Sequence, residues 1–243
     1  FLSKSKIDKK TTSKSLSLDI ANKALRYDLT VPFARFIVNN KNNITFPFKR
    51  YQMQNVWRAD RPQKGRFREF FQCDADVIGS NSLLNEIELI QLCDDIFSDL
   101  NIPNIQILIN NRKILSAMIE MMSASDIFDE FVIVLDKIDK IGVDNVKAEL
   151  IKIGVKQEKI DILDRFLNIK NISDLSSIIK DSKTGKEGVS ELNYILMNIE
   201  KLNLKNSILK FDISLARGLN YYTGSIFEVK SSNIDIGSIA GGG

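Results

Sequence analysis

Two stretches of the chain alternate in polarity residue by residue, as half-buried strands do. From Phe46 to Asp60 the alternation puts Arg50, Gln52, Gln54, Val56 and Arg58 on one face and Tyr51, Met53 and Trp57 on the other. From Arg66 to Val77 it puts Phe67, Phe71, Cys73, Ala75 and Val77 on one side, against Arg66, Arg68, Phe70, Gln72, Asp74 and Asp76. Asp60-Arg61-Pro62-Gln63-Lys64-Gly65, rich in turn formers and charge, lies between them. The pattern predicts a long antiparallel hairpin over roughly 46–78. Elsewhere the period is helical. Thr30 is placed to cap a helix with Pro32 in its first turn, running to about Asn39. Leu83, Ile87, Ile90, Cys93, Phe97 and Leu100 form one apolar stripe over 82–100. Ile105 to Asn110 reads as a buried strand.

From Arg112 to about Asn206 aromatics thin out and Lys, Asp, Ile and Leu dominate, with helical spacing at 127–138 and 189–199. Gly142, Gly154 and Lys183-Thr184-Gly185-Lys186 punctuate these helices. The region reads either as a mostly helical inserted subdomain or as a helical part of the same core. Sheet-like sequence returns near Ile208, and Ser225 to Val229 alternates as a strand after a Tyr-Tyr-Thr-Gly turn. The Ser-, Lys- and Thr-rich opening, Phe1 to Asp19, lacks periodicity and reads as a mobile loop. A short extended segment follows through Asp28.

Composition narrows the chemistry. With 243 residues, 44% of them hydrophobic and 27% charged, the chain has the makings of an ordinary globular core. A net charge of +3 permits polyanion binding but leaves it to local clusters. There is no histidine, which excludes Ser-His and Cys-His catalysis and most zinc sites. Phosphoryl or nucleotidyl transfer survives that exclusion, because it relies on positioning and electrostatics. Cys73 and Cys93, lacking metal-ligand spacing, both read as buried thiols. No apolar run reaches bilayer length and no secretory signal opens the chain, so the expectation is a cytoplasmic protein without a membrane segment.

The polar face of the hairpin carries two guanidinium groups, an isolated ring, an amide and two carboxylates. Such a set suits phosphates, a flat base and an ammonium group. The cationic tip by itself, Arg61, Lys64 and Arg66, would equally suit a solvated surface hairpin.

The hairpin residues R-A-D-R-P-Q-K-G-R-F-R-E-F (58–70) resemble motif 2 of the class II aminoacyl-tRNA synthetases, and more narrowly that of the histidyl-tRNA synthetase family. Two further segments agree: Leu25-Arg26-Tyr27-Asp28-Leu29-Thr30 is similar to the family's amino-acid-binding L-R-Y-D-L-T. Arg217-Gly218-Leu219-Asn220-Tyr221-Tyr222-Thr223-Gly224 is similar to its R-G-L-D-Y-Y-T-G signature, with Asn220 in place of Asp.

The resemblance implies an α+β fold, a class II synthetase-like antiparallel sheet flanked by helices with a mostly helical insertion. The core would occupy 1–111 and 207–243, the insertion 112–206. It implies ATP-dependent activation of L-histidine and transfer to the 3′ end of tRNA(His), with Mg²⁺ bridging the phosphates and no metal held by protein ligands. Arg58 and Arg217 match the catalytic arginines. Arg58, Asp60, Arg66 and Phe70 match the ATP-binding set; Asp60 stands where many class II members have Glu. Asp28, Leu29, Thr30, Arg58, Gln72, Asp76, Arg217, Tyr221 and Tyr222 match the histidine pocket. Arg61 and Gln63 match positions that meet the tRNA acceptor end.

By the same comparison both ends look cut, since the family has motif 1 ahead and motif 3 with an anticodon-binding domain behind. A homodimer is the implied state of the full-length protein. Two rivals stand beside this reading. One is a non-catalytic paralogue, the histidine-sensing regulatory subunit of ATP phosphoribosyltransferase; the other is a basic RNA-binding module without chemistry.

Overall fold

A computed structural model of the chain describes residues 21, 23–217, 221–234 and 237–243. The opening loop expected over Phe1 to Asp19, and Asn220 of the signature, lie outside the described residues. The chain divides into two compact units, Phe1–Ser80 and Asn81–Gly243.

In the first unit a helix, α1 (Thr30–Asn40), precedes the expected hairpin of β1 (Phe48–Trp57) and β2 (Glu69–Ile78). The strands pair antiparallel without a slip, from Phe48 opposite Ile78 to Trp57 opposite Glu69. Because side chains repeat every two residues, this register sets even positions opposite even positions: Arg50 faces Asp76, Gln52 faces Asp74, Gln54 faces Gln72 and Val56 faces Phe70. Phe33 and Phe36 of α1 lie 6.3 and 6.5 Å from the Phe48 ring on that same face.

Thr30 does not cap α1: the N-cap position is Leu29, and Asp28 Oδ1 accepts instead from the Val31 N–H at 3.4 Å. Cys73 is exposed, not buried. The face packed by α1 is the polar one, so Tyr51, Met53, Phe71 and Cys73 on the apolar face are left open, Tyr51 at 79% exposure.

The second unit begins with α2 (Leu84–Asp99), whose Ile87 and Ile90 are buried. The outer end of the predicted stripe, Leu100, is exposed beyond the helix. Cys93 is partly buried, and burial pushes its thiol up to about 11. The sheet has the order β4 (Ser207–Phe211), β3 (Ile105–Asn111), β5 (Ser225–Ser231), β6 (Ser238–Gly242). Its β3–β5 and β5–β6 pairings are antiparallel, and β4 joins as a parallel edge. The central β3 is buried at every position but Gln106, which is why it reads as a continuous apolar run.

Seven helices connect β3 to β4: α3 (Arg112–Met121), α4 (Phe128–Leu135), α5 (Ile138–Ile141), α6 (Val143–Lys152), α7 (Asp161–Leu167), α8 (Ile172–Ile178) and α9 (Lys183–Leu202). Gly142 ends α5 at φ +78°, a turn that favours glycine. The Lys183–Lys186 segment is not a break. It opens α9, capped by Ser182 Oγ, which accepts from the Gly185 N–H at 3.2 Å. Gly185 and Gly188 are buried against α3, and a Cβ on Gly185 would stand 2.7 Å from that of Ala117. These glycines therefore mark a close helix crossing.

One core holds the unit together, with Ile107 and Ile109 of β3, Ile114 and Leu115 of α3, Leu192 and Ile195 of α9, and Ile226 and Val229 of β5 all buried. Asp94, 2% exposed, is a buried carboxylate on α2. It accepts from the backbone N–H groups of Lys205, Asn206 and Ser207 at 2.6–3.0 Å, fixing the entry to β4. Burial alone would raise its pKa; those backbone donors outweigh it and hold the carboxyl below the usual range.

Candidate functional site

Within the first unit, the polar face of the hairpin is a connected array. Arg58, just past β1, lies with its guanidinium carbon 4.7 Å from the centre of the Tyr27 ring and 5.1 Å from that of Phe70. Its Nε donates to the Tyr27 carbonyl at 3.2 Å and its Nη2 to Gln72 Oε1 at 3.0 Å. The Gln72 amide then donates to both oxygens of Asp74, at 2.8 and 2.9 Å. Two rings and two acceptors thus hold Arg58 in one orientation, leaving part of its planar fork for an anion.

A second chain runs along β1. Arg50 pairs with Asp76 at 2.8 Å, lies 4.0 Å over the Phe33 ring, and donates to Gln52 Oε1 at 2.6 Å and to the Leu29 carbonyl at 3.3 Å. Gln52 donates to Gln54 at 3.0 Å, and Gln54 also accepts from Arg26. Burial pushes the Asp76 carboxyl above its ordinary range; Arg50 opposes that and the neighbouring Asp74 adds to it. One arginine against two carboxylates leaves this end of the face net negative, suited to an ammonium or an imidazolium.

Asp28, Leu29 and Thr30 sit at the start of α1, and Leu29 is fully buried. They are joined to the face through the Leu29 carbonyl and Arg50. The loop between the strands carries Asp60, Arg61, Gln63 and Arg66, all exposed. Its base is closed by the Arg58 N–H to the Arg68 carbonyl at 2.9 Å, its tip by the reciprocal backbone pair of Gln63 and Arg66. Gly65 supplies the left-handed residue of that turn at φ +75°. Arg68 Nε donates to the Asp60 carbonyl at 3.3 Å, which ties the loop back on itself.

The remaining expected residues belong to the second unit. Arg217 takes a left-handed backbone, φ +46°, uncommon for a residue with a side chain. Its guanidinium is 4.0 Å from Glu228 on β5, and its Nε is buried with no hydrogen-bond partner among the described residues. Gly241 of β6 and Gly243 just beyond it make room for these groups. A Cβ on Gly241 would lie 2.2 Å from Arg217 Nη1, and one on Gly243 would lie 2.7 Å from the Tyr222 ring. Tyr221 and Tyr222 meet edge to face, 4.7 Å between centres.

Several members of these arrays were not singled out from sequence as site residues. Arg50 and Asp74 lay on the right face, but only the strand register shows whom they meet. Glu228 gives no local signal at all. Asn110, Asn111 and Arg112 did offer one: three consecutive polar residues where an apolar strand ends, all buried. Among the described residues no three Cys, Asp or Glu side chains gather as a metal site, and no helix is long and apolar enough to cross a membrane.

The chain resembles known proteins along nearly its whole length. The profile of the histidyl-tRNA synthetase family matches residues 2–243. A histidine–tRNA ligase of Christiangramia forsetii is 51% identical over all of this chain and 55% of its own length. The crystal structure of histidyl-tRNA synthetase from Nostoc superposes with a TM-score of 0.78 at 35% identity, over 90% of this chain and 52% of the other. A structure titled ATP phosphoribosyltransferase regulatory subunit/histidyl-tRNA synthetase, from Bacillus halodurans, shares the fold at TM-score 0.75 and 19% identity, over 90% and 56% of the two chains. The chain spans about half the length of the curated relatives it matches. On the family profile and on half its residues held in common with a curated relative, this chain belongs to the histidyl-tRNA synthetase family.

Proposed function

We propose that this chain is the adenylation core of a histidine–tRNA ligase. The observation that carries the reading is the fixed guanidinium of Arg58, held between Tyr27 and Phe70 and bonded to Gln72. In the first step a carboxylate oxygen of L-histidine attacks the α-phosphorus of ATP. The α–β phosphoanhydride bond breaks and pyrophosphate leaves, giving histidyl-adenylate. In the second, a terminal ribose hydroxyl of tRNA(His) attacks the acyl carbon, the hydroxyl proton is lost and AMP departs.

The barrier to the first step is the approach of two anions, which fixed cations lower most effectively where water is excluded. Arg58 is assigned to the α-phosphate and the substrate carboxylate, Arg217 to the α-phosphate, and Arg66 to the terminal phosphates. Phe70 is assigned to the adenine ring and Asp60 to its edge. Asp28, Leu29, Thr30, Gln72, Asp76, Tyr221 and Tyr222 are assigned to histidine, the carboxylates to its ammonium. The exposed Arg61 and Gln63 are assigned to the tRNA acceptor end, and the helical stretch 112–206 to an insertion in the catalytic core. Mg²⁺ enters as the complex of the substrate ATP, since phosphate oxygens are its natural ligands. The open apolar face of the hairpin supports a full-length homodimer, and the enzyme is assigned to the cytoplasm.

The test is ATP–pyrophosphate exchange by the full-length gene product, with each amino acid offered in turn. Exchange that depends on histidine alone is the expected result. Histidine binding without exchange would overturn the proposal in favour of the regulatory paralogue.

A further inference from the structure

We infer that Asn110 and Arg112 are positioning residues that hold Arg217 and the tyrosine pair in their working shape. The inference rests on the assignment of those residues to the histidine pocket. Asn110 is fully buried at the end of β3, and its Nδ2 donates to two carbonyls, Ile213 at 3.1 Å and Leu215 at 2.9 Å. Arg112, 4% exposed, donates from Nη1 to the carbonyl of Arg217 at 3.3 Å. Its own backbone N–H donates to the Gly224 carbonyl at 2.8 Å. The run into the signature segment, 213–217, and its far end at Gly224 are therefore tied to two residues, Asn110 at the end of β3 and Arg112 at the start of α3.

The guanidinium doing the tying is itself seated, 4.8 Å over the Phe128 ring and 4.0 Å from Asp129. The residue it grips, Arg217, has an unfavourable left-handed backbone. Stability alone is a poor account of Asn110. Its Oδ1 is buried without a hydrogen-bond partner among the described residues, a cost that an apolar residue in the same place would avoid. What the amide gains is a specified path for two carbonyls of the segment that leads to Arg217.

The test uses the full-length gene product with Asn110→Ser, Arg112→Met and Arg112→Lys, assayed by histidine-dependent exchange at varied histidine and varied ATP. Losing one such hydrogen bond predicts about a tenfold rise in the KM for histidine, with the KM for ATP within about twofold and part of the effect recovered by Arg112→Lys. A merely structural role would lower kcat with the unfolded fraction and move neither KM, and that result would overturn the inference. Amide hydrogen exchange provides a readout independent of activity. Faster exchange confined to 213–217 and 221–224 in Asn110→Ser is expected, and unchanged or uniformly raised exchange would refute the tether. Where Arg112→Met fails to fold, the other two variants carry both measurements. Absence of histidine-dependent exchange in the unsubstituted protein would instead count against the proposed function.

Discussion

Replacing Gly241 by Ala should separate activity from stability. Gly241 lies opposite Glu228 in the β5–β6 ladder, and the Arg217 guanidinium rests over it. An added Cβ would stand 2.2 Å from Nη1 and 2.8 Å from Cζ. Restoring an ordinary 3.4 Å contact requires the guanidinium to retreat by about 1.2 Å, the difference between the two distances. A misplacement of about 1 Å can cost about 100-fold in rate, equivalent to about 2.7 kcal/mol of transition-state stabilisation. The fold should hardly notice: the clashing atoms are the far end of a flexible side chain, and Gly241 has no left-handed backbone to protect.

The neighbouring Gly242→Ala is the control. There the Cβ would meet the buried Phe227 ring at 2.6 Å, an overpacking expected to cost about 1–3 kcal/mol of stability. The assay is histidine-dependent pyrophosphate exchange, paired with denaturant unfolding of both variants. Full exchange by Gly241→Ala, or a stability loss matching that of Gly242→Ala, would refute the reasoning.

Asp94→Asn should cost about 1–3 kcal/mol, because a buried acceptor of three backbone donors is weakened. The folded state depresses the Asp94 pKa, so its contribution is present above the unfolded value and lost as pH falls through the folded one. The variant's stability should therefore vary less with pH on the acid side, and an unchanged acid limb would contradict the assignment. Gly185→Val should force α3 and α9 apart and lower stability by about 1–3 kcal/mol, read by denaturant unfolding; a neutral result would mean the crossing has slack. A thiol reagent should modify Cys73 in the folded protein far faster than Cys93, whose burial and raised pKa both slow reaction. Equal rates measured by mass spectrometry would show the hairpin face to be covered.

Much of the fold was legible because it is local. The turn formers between two alternating runs predict the hairpin, and β1 and β2 pair where the alternation says. Ile105 to Asn110 is apolar enough to be a central strand, and the helical stripes over 82–100 and 189–199 lie within or close to α2 and α9. The failures share a cause. Thr30 looks like a cap by type, yet Leu29 holds the position, because the chain entering α1 is set by what Leu29 and Arg50 bury. The Lys183–Lys186 glycine looks like a break, but α9 needs it where α3 crosses. Cys73 lies on an apolar face that α1 does not pack.

The amino-acid sequence by itself determined the hairpin, the helical stripes and the motifs that mark the family. All of these depend on residue type and spacing along the chain. Which strand face is covered, which carboxylate Arg50 meets, how Asp94 caps a distant strand and how Asn110 reaches carbonyls some hundred positions away were decided by tertiary structure alone. Each depends on register and packing between segments far apart in the chain. Burial, unlike periodicity, is set by what arrives from elsewhere.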